Sequence, residues 1–271
     1  MDWSLVLASQ GIIHIVDEAA ELGWGLWVAD ADAETARAAI RQSRWENRRW
    51  RWQRTIPHSN TIFDWAASAW VLLTIGFYWL SIRRGDLRAA GIMDGAALAN
   101  GEWWRLGTAT LLHADLGHLA TNAVFGFLLL GLALGRYGTG VGLLAAFLAG
   151  VVGNLVSWFS HGKLFQGLGA SGVVMGALGL VAVQSFALLS NHPRSLKMIM
   201  AGLAGGVMLF ALLGFSPGTD VFAHGGGFFA GITLGFLLAR PVARHPVTNL
   251  IAGAVFVILV IWTWLLALGR T

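Results

Sequence analysis

From residue 61 onward, apolar runs of about twenty residues alternate with short polar breaks. About twenty is the length an α-helix needs to cross the hydrocarbon core of a bilayer. The runs place helices near 61–82, 117–136, 139–160, 170–190, 196–215, 221–240 and 249–268. The long break at 83–116 is apolar and carries Trp103 and Trp104, so it reads as a segment lying partly in the membrane interface. Residues 1–56 are patterned differently. Ser4–Ser9 is a short helix-compatible run stopped by Gly11, Ile12–Val16 alternates as a strand does, and Gly23–Val28 reads as its hairpin partner. Asp32 is placed to cap a helix over 33–47. The expectation is an all-α polytopic membrane protein with a small α+β N-terminal domain. Its parts are a soluble α-β-β-α domain and linker at 1–56, a six-helix core at 57–240, and an added C-terminal helix at 241–271.

Composition supports the membrane reading. Charged residues make up 12% of the chain, against about a quarter in an average soluble domain. Cysteine is absent, which excludes disulfides, thiolate metal sites and a cysteine nucleophile. The formal charge of +4 does not point to nucleic acid, because Lys and Arg also orient a membrane chain. With the N-terminus cytoplasmic, that side carries twelve Lys and Arg against six on the other. This is the expected orientation in an inner or cell membrane of bacterial type. The stretch from Arg44 to Arg54, basic and rich in Trp, is suited to anionic headgroups. No cleavable signal peptide is expected, so the first hydrophobic helix targets the chain.

Four polar residues stand out. His118 and Asn122 share a face at the start of the second run, Ser171 opens the fourth, and His224 lies one turn into the sixth. These three helices run in the same direction, so the four residues lie at one shallow depth on the outer side. A serine hydroxyl needs a base to become a nucleophile, and histidine is the usual base near neutral pH. Gly227 and Gly231 share a helical face with His224, and Gly172, Gly176 and Gly179 form a stripe below Ser171. Two such faces let backbones approach closely. On spacing alone, two readings stay open: a Ser–His dyad, or ordinary small-residue packing around a satisfied histidine. Likewise Asn122 serves either an oxyanion hole or an interhelical hydrogen bond. No Asp or Glu lies in the core of any predicted helix, which makes a dyad more economical than a triad. The same scarcity leaves no metal site and no cofactor expected.

These residues fall into motifs that resemble the rhomboid intramembrane serine proteases. Glu102-Trp103-Trp104-Arg105 is similar to a Trp-Arg element before the second helix. His113 through Asn122 resembles a His-x4-His-x3-Asn signature, Gly169 through Gly172 a Gly-x-Ser-Gly signature, and Ala223 through Gly231 an Ala-His-x2-Gly-x3-Gly signature. The four elements come in order between about residues 60 and 240. The resemblance implies a rhomboid-like six-helix core with Ser171 as nucleophile and His224 as general base. It implies an oxyanion hole made by the Ser171 amide, His118 and Asn122. It also implies an embedded first loop at 83–116, braced by Arg105 and His113 with Trp104 beside them. Gly169, Gly172, Gly227 and Gly231 would support the site. Met175 stands where some members carry an aromatic against the catalytic histidine, so a less firmly held imidazole is expected.

The implied activity is endopeptidase cleavage of membrane proteins near a transmembrane segment, close to the outer interface. The partners are then such substrates and the bilayer, with no nucleic acid. One alternative is an inactive rhomboid-like protein that binds membrane helices, against which stand both Ser171 and His224. The other is a small transporter, against which stand the missing intramembrane carboxylates and helix breaks.

Overall fold

A computed structural model of the chain describes residues 2–19, 23–47, 63–191, 204–206, 208–209, 211, 219–238 and 245–269. The chain divides into two compact units, residues 1–59 and 60–271. The first comprises α1 (Asp2–Ser9), β1 (His14–Ala19), β2 (Gly23–Val28) and α2 (Ala33–Asn47). This is the α-β-β-α order expected, with an antiparallel hairpin pairing His14 with Val28 and Ala19 with Gly23. The first strand runs later than expected, because Ile12 turns inward to pack on Leu7 and Ala36. Asp32 closes a 3₁₀ turn over Asp30–Asp32 that leads straight into α2. Arg44 stacks over the Trp3 ring at 4.2 Å, tying α2 to α1.

The second unit is helical. Its long elements are α3 (Ala67–Arg83), α7 (Leu116–Tyr137), α8 (Thr139–His161), α9 (Ser171–Asn191), α10 (Val221–Leu237) and α11 (Pro246–Leu268). Among the described residues α7, α8 and α11 are long and apolar enough to cross a membrane, and α3, α9 and α10 add shorter apolar stretches. The expected helix at 196–215 lies largely outside the described residues. The first span begins at 67 rather than 61, because Asp64 forms a turn. Its carboxylate accepts the Ala66 N–H at 2.9 Å, and its own N–H donates to the Gly131 carbonyl of α7 at 2.9 Å.

Between α3 and α7 the chain is neither a spanning helix nor a plain loop. It folds into α4 (Gly85–Gly91), β3 (Met93–Asp94), α5 (Gly95–Ala99) and α6 (Arg105–Thr108). A short bridge joins β3 to β4 (Gln166–Gly167), just ahead of α9. Arg105 holds this segment together. Its Nε donates to Glu102 Oε2 at 2.6 Å, and its Nη1 donates to the carbonyls of Ala89 and Ile92. Trp104 is buried in a cluster with Leu87, Leu112 and Trp264 of α11. The last helix therefore packs on this segment as well as on α8, where the Asn249 side chain accepts the Val141 N–H.

Glycine faces set the centre of the bundle. A Cβ at Gly227 or Gly231 of α10 would strike the backbone of Gly172 or Gly176 of α9. One at Gly153 of α8 would strike the Ala223 carbonyl and come within 3.0 Å of the Gly227 nitrogen. The helices α8, α9 and α10 thus meet backbone to backbone, where any side chain would hold them apart.

Candidate active site

The N-terminal ends of α7, α9 and α10 converge on one cavity of about 450 Å³. His118, Asn122, Ser171, Met175 and His224 all line it. Asn122 and His224 are buried, while Ser171 and His118 are half-buried. The start of α9 brings the positive end of its helix dipole to this space, which favours negative charge beside Ser171. Gly172 follows Ser171 and Gly227 lies one turn beyond His224, so the tight glycine contact of α9 with α10 draws together the helix starts that carry both residues.

Gly169 shapes the approach to Ser171. Its φ of +138° lies in a region that side chains avoid. A Cβ there would also come within 2.6 Å of His118 Cε1 and 2.8 Å of His118 Nε2. Lacking a side chain, Gly169 lets the His118 ring sit against the strand that leads into α9. The Asn122 amide nitrogen is buried on the cavity wall without a hydrogen-bond acceptor among the described residues. A buried unpaired donor costs about 1–3 kcal/mol, and this one lies beside space that an acceptor can enter.

Two aspartates do work that spacing did not assign. Asp115 caps α7, its carboxylate accepting the His118 N–H at 2.8 Å. Asp220 caps α10, its Oδ1 accepting the Phe222 and Ala223 N–H groups at 3.1 and 3.0 Å. Both line the cavity. The signal was present locally, since an Asp just before an apolar run is a helix-start signature. The other Asp220 carboxylate oxygen, Oδ2, accepts the Ser157 hydroxyl of α8.

His113 sits behind the cavity with its ring edge-on to His118, centroids 5.3 Å apart. It is 1% exposed. Burial, helped by the neighbouring His118, pushes its pKa down to about 4 from the ordinary 6.5. The unfolded chain therefore binds the extra proton first as pH falls. The stability contributed by neutral His113 is whole above pH 6.5 and is lost progressively toward pH 4, by about 3 kcal/mol. Melting temperature followed from pH 7.5 to 4 is expected to fall, and less steeply in His113→Gln protein. An unchanged slope in the variant would contradict this assignment.

A bundle of apolar helices, three of them among the described residues long and apolar enough to cross a bilayer, defines an integral membrane protein. Residues 100–241, just over half of the chain, match the Rhomboid domain family. The chain belongs to the rhomboid family. It is 33% identical over 177 residues to rhomboid protease GluP of Bacillus subtilis, covering 62% of this chain and 33% of that protein. Over 150 residues it is 34% identical to Rhomboid-like protease 3 of Toxoplasma gondii, covering 55% and 56%. Over 162 residues it is 32% identical to RHOMBOID-like protein 5 of Arabidopsis thaliana, covering 57% and 50%. The aligned stretch thus spans between a third and just over half of these relatives.

Proposed function

We propose that this protein is an intramembrane serine endopeptidase acting through a Ser171–His224 dyad on membrane proteins at a transmembrane segment. The observation that carries this reading is the buried, acceptor-less Asn122 amide in the same cavity as Ser171 and His224. Ser171 Oγ attacks the scissile carbonyl carbon as its proton passes to His224. The carbonyl oxygen becomes an oxyanion, held by the Ser171 N–H at the start of α9, by His118 and by Asn122. The tetrahedral species collapses as His224 returns the proton to the leaving amine, and water then hydrolyses the acyl-enzyme by the reverse route. A dyad rather than a triad is favoured because no Asp or Glu lies in the core of a predicted spanning helix, and the nearby Asp220 caps α10 and accepts the Ser157 hydroxyl.

In this reading the cavity opens toward the outer interface, the N-terminus is cytoplasmic, and 57–240 is the catalytic core with 241–271 added to it. The twelve-to-six distribution of Lys and Arg supports the orientation. The test is cleavage of single-pass reporter proteins by reconstituted protein. Asn122→Ala is expected to lower kcat about 10²-fold with a smaller change in KM, since its bond forms only in the transition state. Absence of cleavage across a broad reporter panel would favour an inactive helix-binding member of the family.

A further inference from the structure

The helix that carries His224 is fastened to α8 by a polar contact inside a glycine-lined interface. Ser157 of α8 is fully buried. Its hydroxyl donates to Asp220 Oδ2 across 63 residues of sequence. The other Asp220 oxygen caps α10 by accepting the Phe222 and Ala223 N–H groups, and the Asp220 carbonyl accepts the N–H of His224 itself at 3.0 Å. One residue thus joins α8, the first turn of α10 and the His224 backbone. His161, one turn beyond Ser157, holds the hydroxyl in orientation. Its Nδ1 lies 3.3 Å from Ser157 Oγ and 3.1 Å from the Ser157 carbonyl. The ring is clamped in turn, stacked on Phe165 at 4.3 Å and edge-on to Phe222 at 5.2 Å.

Packing along this interface is largely backbone against backbone. Gly153 and Gly226 present smooth backbone, with a Gly226 Cβ position lying 3.0 Å from the Gly153 Cα. Smooth faces permit small sliding and rotation, whereas a directional bond to a charged acceptor does not. We infer that Ser157 and Asp220 form a latch that sets the axial position and rotation of the first turn of α10, and so aims His224 at Ser171. Both are positioning residues. The inference rests on the protease reading for its kinetic consequence, but the latch itself has a readout independent of activity.

Ser157→Ala removes the latch and leaves the cap intact. Asp220→Ser keeps a capping acceptor and withdraws the oxygen that reaches Ser157. Each is expected to lower kcat on a single-pass reporter about tenfold or more, because small misplacement of a reacting group is costly, with KM within about twofold. The double variant is expected to be no slower than the slower single one, the mark of one shared contact. Amide hydrogen exchange over residues 221–224 should rise in both single variants, while exchange over 246–268 does not. Unchanged exchange at 221–224 in Ser157→Ala overturns the latch. So do additive losses in the double variant, or a kcat equal to wild type. If the wild-type protein cleaves nothing and yet exchange rises as expected, the protease reading fails and the latch stands.

Discussion

Ser171→Ala protein, reconstituted in lipid vesicles, is expected to cleave a single-pass reporter at no more than background rate. His224→Ala is expected to fall nearly as far. Losses of about 10⁴-fold or more are usual when a serine nucleophile or its base is removed. The two groups act on one proton transfer, so the double variant should be no worse than the Ser171 variant alone. Asn122→Ala, with Ser171 and His224 intact, should retain measurable cleavage, because it removes one donor from a set of three. Asp220 variants should not approach the Ser171 loss either, since in the dyad reading Asp220 caps α10 and binds Ser157 rather than moving a proton. Equal loss in Ser171→Ala and Asp220→Ser proteins would instead point to a triad.

Gly231→Leu is expected to be the most damaging substitution for the fold. Even a Cβ at this position would lie 2.9 Å or less from the Gly176 backbone. Backbone cannot swing aside as a flexible side chain can, so α9 and α10 must separate along their length. Overpacking a tight interior costs about 1–3 kcal/mol and sometimes more, and a leucine wedged against backbone belongs at the upper end. The separation would also part the helix starts that carry Ser171 and His224. Activity should then vanish with stability, and Gly231→Ala should show the same pattern more weakly. Gly76→Ala is the control. Gly76 is an exposed glycine of α3 with nothing near its Cβ position, and alanine there should leave melting unchanged or raise it slightly. Thermal unfolding in detergent compares the three.

The long helices were legible in the sequence because a lipid-facing helix must be apolar along its whole length. The expected runs at 117–136, 139–160, 170–190 and 249–268 lie within a few residues of α7, α8, α9 and α11. Their ends were set by single polar residues, Asp115 for α7 and the Asp64 turn ahead of α3. The segment from Gly85 to Thr108 was legible only as unusual. Its helices are too short for periodicity to show, and tertiary bonds such as Thr108 to the Gly91 carbonyl define them. Glycine spacing gave two smooth faces but not their partners. The contact of Gly227 with Gly172 is a fact of packing, and it belongs equally to both readings that spacing left open. Ser157 was not legible at all, for it is one serine in an apolar helix whose partner is distant in sequence.

The central claim is that Ser171 is a nucleophile activated by His224. Treatment of the reconstituted protein with a fluorophosphonate, followed by peptide mapping in a mass spectrometer, tests it most directly. One adduct is expected, on Ser171, formed in parallel with loss of reporter cleavage and absent from His224→Ala protein. Reporter cleavage that persists once Ser171 is fully modified, or an adduct on another residue that tracks the loss of activity, would contradict it.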